Sequence, residues 1–452
     1  MGNDRGFSRR RFMQAGGALL AAGPAAGLAR AETGKKSNPA PGKAAIRRHR
    51  KLGRTGFRVS DISMGCGEIS EPNVVRYAYD HGINLFDTAE GYGEGDSERR
   101  IGAAMKHLDR SRIFIVTKLS LEPEEKADQI RARFLKCLER LNTNYVDALY
   151  LHAVNRVADV KHPGFHAAVA PLKKEGKVRH AGISSHGPRG QDGDSMADVL
   201  LAAVADGRFD IMLLVYNFMN SAEGKKVLQA CREKNIGTTG MKVAAGVLNI
   251  EPFDPKNPSG RYARYLERML KRGMSREDAV ARIQAYLERQ RQAQEKSKPF
   301  IARHGIKSEV ELKQKCVQWA LGDDDLHTIC VSMPTFDKID RFLPLSGTRL
   351  AAADQRWLHE YAAAFSSNYC RHGCNQCTGR CPARLPVNTI LRYAVYFYCQ
   401  GRQKTAMQKY TRLDVDPLAS CTGCSAPCER DCPYGVPVRA ALLQAHDWLS
   451  LS

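Results

Sequence analysis

The sequence predicts an α/β barrel of eight parallel strands, followed by a smaller and mainly helical domain. Three observations lead to this prediction. Strand-like and helix-like segments alternate from Leu52 onward, which is the pattern of parallel βα units. Eight apolar runs are short enough to be buried strands. The chain has 452 residues, too many for one ordinary domain, and its cysteines concentrate after residue 365.

The strand candidates are apolar runs bounded by polar or turn-forming residues. They are residues 62–66, 83–86, 113–117, 146–151, 178–184, 211–216, 237–243 and 327–331. Residues 131–141 carry leucines at helical spacing and predict a helix that covers the barrel. A polar insertion at residues 251–307 follows the seventh strand. It is either a lid or partner surface over the mouth of the barrel, or a solvated helical excursion without a role.

Chemically reactive side chains follow three of these strands. Asp87 ends the second strand and Tyr92 lies in the glycine-rich turn beyond it, while Lys118 and His152 close the next two strands. The carboxyl ends of all strands open on one face of a parallel barrel. We therefore expect these four side chains to converge on a catalytic site.

The same residues carry a family resemblance. The segments LGRTG (52–56) and FDTAEGYG (86–93), together with Lys118 and His152, resemble the aldo/keto reductase family over roughly residues 52–343. The resemblance implies a TIM barrel in which Tyr92 donates a proton to a substrate carbonyl. It also implies that Lys118 lowers the pKa of Tyr92, that Asp87 keeps Lys118 charged and that His152 orients the carbonyl. An inactive barrel that retains a structural ion pair is the alternative.

The resemblance further implies NADP(H) at the barrel mouth. The candidate nicotinamide contacts are Ser184, Ser185 and Tyr216, with Tyr216 in the position of the stacking residue. Ser185 stands where the family has Asn, and Leu213 stands where it has Gln. The loop after the eighth strand offers no clear basic residue, and Asp337 would repel a 2′-phosphate. These departures predict that NADP(H) binds weakly.

The first residues predict export. Residues 8–13 read SRRRFM, an apolar run follows at 15–28, and Ala29-Arg30-Ala31 has the form of a cleavage site. We interpret residues 1–31 as a Tat signal, which places the folded protein in the periplasm, and residues 32–50 as a linker. No transmembrane segment is expected in the mature chain. The formal charge is +21, but the basic residues are scattered without interleaved aromatics, so a nucleic-acid partner is not expected.

Eight cysteines fall into two sets that each end in Cys-Pro. The first set is Cys370, Cys374, Cys377 and Cys381, and the second is Cys421, Cys424, Cys428 and Cys432. They resemble the two motifs of ferredoxins that hold [4Fe–4S] clusters, although one gap in each set is longer by one residue. Structural zinc, disulfides and plain buried thiols are the alternatives. Tat export favours clusters, because it suits proteins that acquire a cofactor in the cytoplasm. The assignment of single cysteines to clusters stays open, and the five barrel cysteines are interpreted as core residues.

The sequence thus predicts a barrel at residues 51–345 and an iron–sulfur ferredoxin-like domain at 346–452. The predicted function is an exported oxidoreductase that acts on a small carbonyl or alcohol, with electrons relayed by two [4Fe–4S] clusters to or from a redox partner protein. One alternative is an NADP(H)-dependent reductase with tightly bound nucleotide. Another is an electron-transfer protein whose barrel is catalytically inactive.

Overall fold

Eight parallel strands close into a barrel in the computed structural model of the chain. The structure describes residues 44–190, 192–244, 309–398, 400–421 and 423–450, together with short stretches and single positions between 254 and 305. A hairpin of two strands, β1 (His49–Lys51) and β2 (Arg58–Ser60), precedes the barrel. The barrel strands are β3 (Ile62–Gly65), β4 (Leu85–Asp87), β5 (Phe114–Leu119), β6 (Val146–Leu151), β7 (Val178–Ser184), β8 (Ile211–Val215), β9 (Gly237–Met241) and β10 (Thr328–Ser332). Strand β10 pairs with both β9 and β3, which closes the ring.

All eight predicted barrel strands are confirmed. Every residue of β5 and β6 is buried, because the barrel interior covers one face and the helices cover the other. This double burial explains why the strands are recognisable as continuous apolar runs. It also places their carboxyl ends, and the loops after them, at one mouth.

Helices surround the barrel. They are α1 (Pro72–Asp80), α2 (Asp96–Ala104), α3 (Ala127–Leu141), α4 (Pro163–Lys174), α5 (Met196–Asp206), α6 (Ser221–Glu233), α7 (Glu309–Leu321) and α8 (Phe336–Phe342). Helix α3 buries Ile130, Phe134 and Leu141 at helical spacing against the sheet and ends at Asn142, which has a left-handed conformation. It extends the helix predicted at 131–141 by one turn.

The end of the predicted linker is part of the folded structure. Strand β1 pairs with β2, the backbone NH of Ile46 donates to the carbonyl of His81 (2.9 Å), and the NH of Arg47 donates to Ser346 Oγ (2.8 Å). The structured chain therefore begins before residue 51. The predicted Tat signal at 1–31, and the linker up to residue 43, lie outside the described residues.

The C-terminal region is helical, as predicted. It contains α9 (Ala352–Ala364), α10 (Val387–Tyr398), α11 (Gln403–Thr411), α12 (Pro417–Cys421), α13 (Pro427–Arg430) and α14 (Val438–Leu449). Helices α10 and α14 begin directly after Pro386 and Pro437. The described residues of the barrel and of the C-terminal region belong to one compact unit, and the division predicted at residues 345 and 346 stays a prediction. None of the described helices is long and apolar enough to span a membrane.

Two apolar clusters hold this region together. One joins Trp357 and Tyr361 of α9 to Phe218 in the loop after β8. The other combines α10, α11 and α14 with buried side chains of the insertion, including Leu266 and Ile283. In the insertion the NH of Asp278 donates to Ser275 Oγ (3.0 Å), which is one of the two hydrogen bonds of a capping box. Most of residues 251–307 lie outside the described residues.

Candidate active site

A buried ion pair lies at the carboxyl ends of β4 and β5. The ammonium of Lys118 donates to Asp87 Oδ1 (2.5 Å) and to the carbonyl of Thr88 (2.7 Å). The Lys118 side chain is fully buried. Although burial by itself lowers the pKa of Lys118, the charges of Asp87 and Tyr92 outweigh it and raise that pKa. Lys118 is therefore held as an ammonium, as expected from the sequence.

Tyr92 faces this ion pair. The Lys118 ammonium lies 5.0 Å from the centroid of the Tyr92 ring, so the predicted neighbours do meet. Burial raises the pKa of the Tyr92 phenol, and Lys118 opposes the rise without reversing it. This direction corrects the expected lowering. A phenol with a raised pKa stays protonated at neutral pH, which is the state that a proton donor requires.

His152 completes the predicted set. Its ring lies edge-on to Tyr92, with 5.8 Å between centroids, and its Nδ1 is 3.3 Å from Ser120 Oγ. Burial and the nearby Lys118, Lys409 and Arg189 lower the pKa of His152 well below its ordinary value. The imidazole is therefore neutral, and it can donate one hydrogen bond to a carbonyl oxygen beside Tyr92.

These residues line a cavity of about 430 Å³. The barrel contributes Asp87, Tyr92 and His152 to its lining, and helices α10 and α11 contribute further residues. We call the α10 and α11 segments that face the cavity the roof. The volume is in the range of roughly 300–1,000 Å³ that is typical of small-molecule sites.

Basic side chains dominate the cavity wall. Among the described residues, eight basic side chains line it: Arg189, Lys242, Lys313, Lys338, Arg341, Arg392, Arg402 and Lys409. Sequence reasoning missed this set, because its members come from distant segments that only the folded roof brings together. It also overlooked Lys338 and Arg341, which reach the cavity from α8 although the loop before that helix has no basic residue. Asp337 itself is exposed and is not part of the wall.

The predicted nicotinamide contacts do not lie together on the cavity wall. Ser184 Oγ accepts from the NH of Ala153 (2.9 Å), and Ser185 Oγ accepts from the NH of Gly187 (3.2 Å), so both hydroxyls hold loops in place. Both serines are fully buried and lie behind the cavity wall, whereas Leu213 is part of that wall.

Tyr216 points away from the cavity. Its hydroxyl donates to Asp323 (2.5 Å), and its ring packs on Trp319 with 5.0 Å between centroids. Trp319 belongs to α7, so Tyr216 is part of the contact between the barrel and its outer helices. This position argues against the predicted stacking on a nicotinamide.

Cys330 also lies at the site, although the sequence suggested a plain core residue. It lines the cavity, and its side chain hydrogen-bonds with the Asp87 carboxylate. Burial raises its pKa well above the ordinary value, so it is a neutral thiol. Only its position on β10 at the mouth could have indicated this from sequence.

The first three cysteines of the first set lie with the last cysteine of the second. Burial and the nearby thiols of Cys377, Cys374 and Cys432 raise the pKa of Cys370. The side-chain amide of Asn388 in α10 donates to Cys370 Sγ (3.6 Å). We call Cys370, Cys374, Cys377 and Cys432 the first thiol group.

The other four cysteines form a second thiol group. Burial and the nearby Cys381, Cys428 and Cys424 raise the pKa of Cys421 to about 11. The group therefore combines three cysteines of the second set with the last cysteine of the first. An ion pair joins Arg380 and Asp431 (2.9 Å), the residues directly before Cys381 and Cys432. These are the two cysteines that lie with the other set.

The eight cysteines of the two sets are present as thiols. None of these cysteines, each of which the structure describes, forms a disulfide. Among the described residues, no three His, Cys, Asp or Glu side chains are arranged to hold a single metal ion. In a [4Fe–4S] cluster each thiolate binds a different iron, so the four sulfur atoms surround the cluster rather than one point.

The first cysteine set lies directly on the barrel. The NH of Met196 donates to the carbonyl of Gly373 (2.9 Å), and the side chain of Asn220 donates to the carbonyl of His372 (2.7 Å). A Cβ atom on Gly187 would lie 2.2 Å from the Cα of Gly373, so the two backbones are in contact. Gly187 has φ +86° and Gly373 has φ +95°, so both positions also require glycine for their conformation.

Comparison with known proteins covers the barrel but not the whole C-terminal region. The model of the aldo/keto reductase family matches residues 69–355. This range includes Asp87, Tyr92, Lys118 and His152, and it ends before the first cysteine set.

Individual relatives match only part of the chain and at low sequence identity. The chain is 30% identical to "Probable aldo-keto reductase 1" of Glycine max over 209 residues, which are 41% of this chain and 56% of that protein. It is 34% identical to L-galactose dehydrogenase of Arabidopsis thaliana over 155 residues, 30% of this chain and 47% of that protein. It thus spans about half the length of these two relatives. The solved aldo-keto reductase AKR11C1 of Bacillus halodurans (holo form) has a TM-score of 0.49 at 19% identity, covering 69% of this chain and 95% of that one.

Proposed function

Because the chain belongs to the aldo/keto reductase family, we propose that it is an exported oxidoreductase whose barrel acts on a small carbonyl or alcohol. Two [4Fe–4S] clusters in the C-terminal region would relay electrons to or from a redox partner protein. One observation carries this proposal. The segment between Cys370 and Cys374 rests on the barrel, and α10, which donates to Cys370 through Asn388, is also part of the cavity roof.

The barrel residues have distinct roles in this chemistry. Reduction of a carbonyl to an alcohol takes two electrons and two protons, and the two electrons would come from the redox partner protein in two single-electron steps. Neutral His152 donates a hydrogen bond to the carbonyl oxygen, Tyr92 transfers its proton to that oxygen, and water supplies the proton that the carbonyl carbon takes up. Lys118 then stabilises the tyrosinate, because its ammonium lies beside the ring and is fixed by Asp87. In the reverse direction Tyr92 accepts the proton of an alcohol. Such proton transfer contributes about 10²–10⁴-fold to rates.

The thiol groups fit the clusters in number and surroundings. Each group offers four thiols, and NH donors lie against three of them, at Cys370, Cys381 and Cys424. Hydrogen bonds to sulfur are among the features that tune iron–sulfur clusters. We propose that Cys370, Cys374, Cys377 and Cys432 hold one cluster and that Cys381, Cys421, Cys424 and Cys428 hold the other. When bound, each cluster would carry one electron at a time.

An NADP(H)-dependent reductase is the second candidate. The observation that favours it is the presence of Lys338 and Arg341 on the cavity wall, where they could contact nucleotide phosphates. The proposal of electron relay is preferred because Leu213 and the buried Ser185 replace both carboxamide partners, and Tyr216 is committed to Asp323.

Free NADPH is expected to bind weakly. Two missing hydrogen bonds of roughly 1 kcal/mol each lower affinity by about tenfold to a hundredfold. Fluorescence titration of anaerobic protein should give a dissociation constant in the high micromolar range or no binding. Submicromolar affinity would favour the second candidate. The function itself is tested by turnover, which a reduced viologen dye should support and NADPH should not.

Export should depend on the arginine pair of the leader. We expect the double substitution Arg9→Lys and Arg10→Lys to keep the precursor in the cytoplasm, because the Tat receptor recognises this arginine pair. Cell fractionation followed by immunoblotting measures the distribution. Arg5→Lys, which lies outside the pair, is the matched control and should export normally. Undiminished periplasmic protein in the double variant would show that the leader works in another way.

A further inference from the structure

The cavity wall carries more positive charge than its own carboxylates neutralise. Eight basic side chains line it, whereas the only carboxylates among its described lining residues are Asp87 and Glu68. Each of these is already paired, Asp87 with Lys118 (2.5 Å) and Glu68 with Arg402 (2.5 Å). Lys242, Arg392 and Lys409 therefore have no carboxylate partner among the described lining residues.

Lys242 shows this imbalance most clearly. Its Nζ atom contacts Nδ1 of His186 (2.6 Å) and lies 5.6 Å from the centroid of the Tyr396 ring. Burial and the nearby cations Arg392 and Arg402 lower its pKa well below the ordinary value. A buried cation is costly unless an opposite charge accompanies it. A bound anion would supply that charge and keep Lys242 protonated.

The positive charge also lies close to the reacting group. Lys409 and Arg189 line the same cavity as His152 and are near enough to lower its pKa. Arg392 is 5% exposed, and its guanidinium donates to the carbonyl of His186 (2.9 Å), which fixes it in the wall. A ligand whose oxygen atom meets Tyr92 and His152 therefore has cations beside it and in the roof above it.

We propose that the cavity selects a small carbonyl or alcohol compound that carries at least two carboxylate or phosphate groups, with Lys242, Arg392 and Lys409 binding those groups. The proposal rests on the function proposed above, because it concerns the same site. Guanidinium and ammonium groups form strong charge-assisted hydrogen bonds with both kinds of anion. The cavity of about 430 Å³ suits a compact metabolite of this class.

Binding can be measured separately from turnover. Anaerobic protein is titrated by calorimetry with citrate as the carboxylate probe, inorganic pyrophosphate as the phosphate probe, and NADPH. We expect citrate or pyrophosphate to bind, and the better of the two to identify the charged group of the substrate. Lys409→Gln and Lys242→Met should each weaken that binding about tenfold. Lys404→Gln is the matched control, because Lys404 is exposed on the same helix and lies outside the cavity wall.

Two outcomes overturn the proposal. One is that neither small anion binds, or that binding is unchanged in both Lys409→Gln and Lys242→Met. The other is that NADPH binds more tightly than both anions and is weakened by the same two variants, which would assign the cations to nucleotide phosphates. Failure of the oxidoreductase function is recognised separately. Protein without iron, or with turnover insensitive to Tyr92, can still bind citrate or pyrophosphate in this titration.

Discussion

Replacing Tyr92 with phenylalanine is expected to lower kcat for carbonyl reduction by about 10²–10⁴-fold. The substitution removes the hydroxyl that supplies the proton and leaves the ring that packs beside Lys118 and His152. The binding of substrate should change little, so KM should stay within a few-fold of the parent value. Steady-state kinetics with a reduced viologen dye measure both quantities.

Tyr79→Phe is the matched control. Tyr79 lies on α1, away from the cavity wall, and its variant should turn over normally. Lys118→Met is less informative, because it leaves the buried Asp87 carboxylate without its cation at a cost of about 3–5 kcal/mol in stability. Unchanged kcat in Tyr92→Phe would assign the proton to another residue, whereas an absence of carbonyl reduction in the parent protein with normal iron content would favour an electron-transfer protein with an inactive barrel.

The pH dependence of reduction follows from the same group. A proton donor is active below its pKa and is lost as the pH rises through it. Because burial raises the pKa of Tyr92 above its ordinary value of about 10, reduction should not decline through this group until the pH exceeds about 10. A decline centred near pH 7 would assign the proton to another residue.

The second large effect concerns iron. Anaerobically purified protein is expected to contain about eight iron atoms per chain, as two [4Fe–4S] clusters require. The crossing of the two cysteine sets makes a sharper prediction. Cys432→Ser and Cys374→Ser should alter the same cluster signal in electron paramagnetic resonance, while Cys381→Ser and Cys424→Ser should alter the other.

Cys231→Ala is the control for these variants, because Cys231 is buried in the barrel far along the chain from both sets. It should retain both signals and the full iron content. If Cys432→Ser changed the signal that Cys424→Ser changes, each set would hold its own cluster and the crossing would be wrong. Stoichiometric zinc with negligible iron would remove the electron relay altogether.

The sequence predicts the barrel well because the determinants are local. Strands β5, β6 and β8 are buried along their whole length, so they are mainly apolar runs whatever their neighbours are. Asp87, Tyr92, Lys118 and His152 follow strand ends, and parallel topology alone brings them to one mouth. The approach of Lys118 to Asp87 therefore needs no knowledge of distant residues.

The errors arise where a side chain depends on distant packing. Tyr216 follows β8 in the position of the family's stacking residue, but Trp319 of α7 and Asp323 just after that helix hold its ring away from the cavity. Lys242 and Arg392 are separated by 150 residues and meet only because α10 covers the mouth. The pKa of Tyr92 depends on how deeply the roof buries its phenol. The spacing of residues along the chain does not indicate that depth.

The contact between Gly187 and Gly373 has a consequence for biosynthesis. The barrel can close once β10 has been translated, but the roof helices leave the ribosome only on the order of ten seconds later, at typical rates of elongation. During that interval Tyr92 and His152 face open water. The backbone of Gly373 then packs against Gly187, where no side chain fits. Because the thiol groups and the roof belong to the same C-terminal region, we expect them to reach their positions in the same step. A nascent barrel is therefore without a finished pocket, and the chain becomes competent for binding only when its C-terminal region has folded.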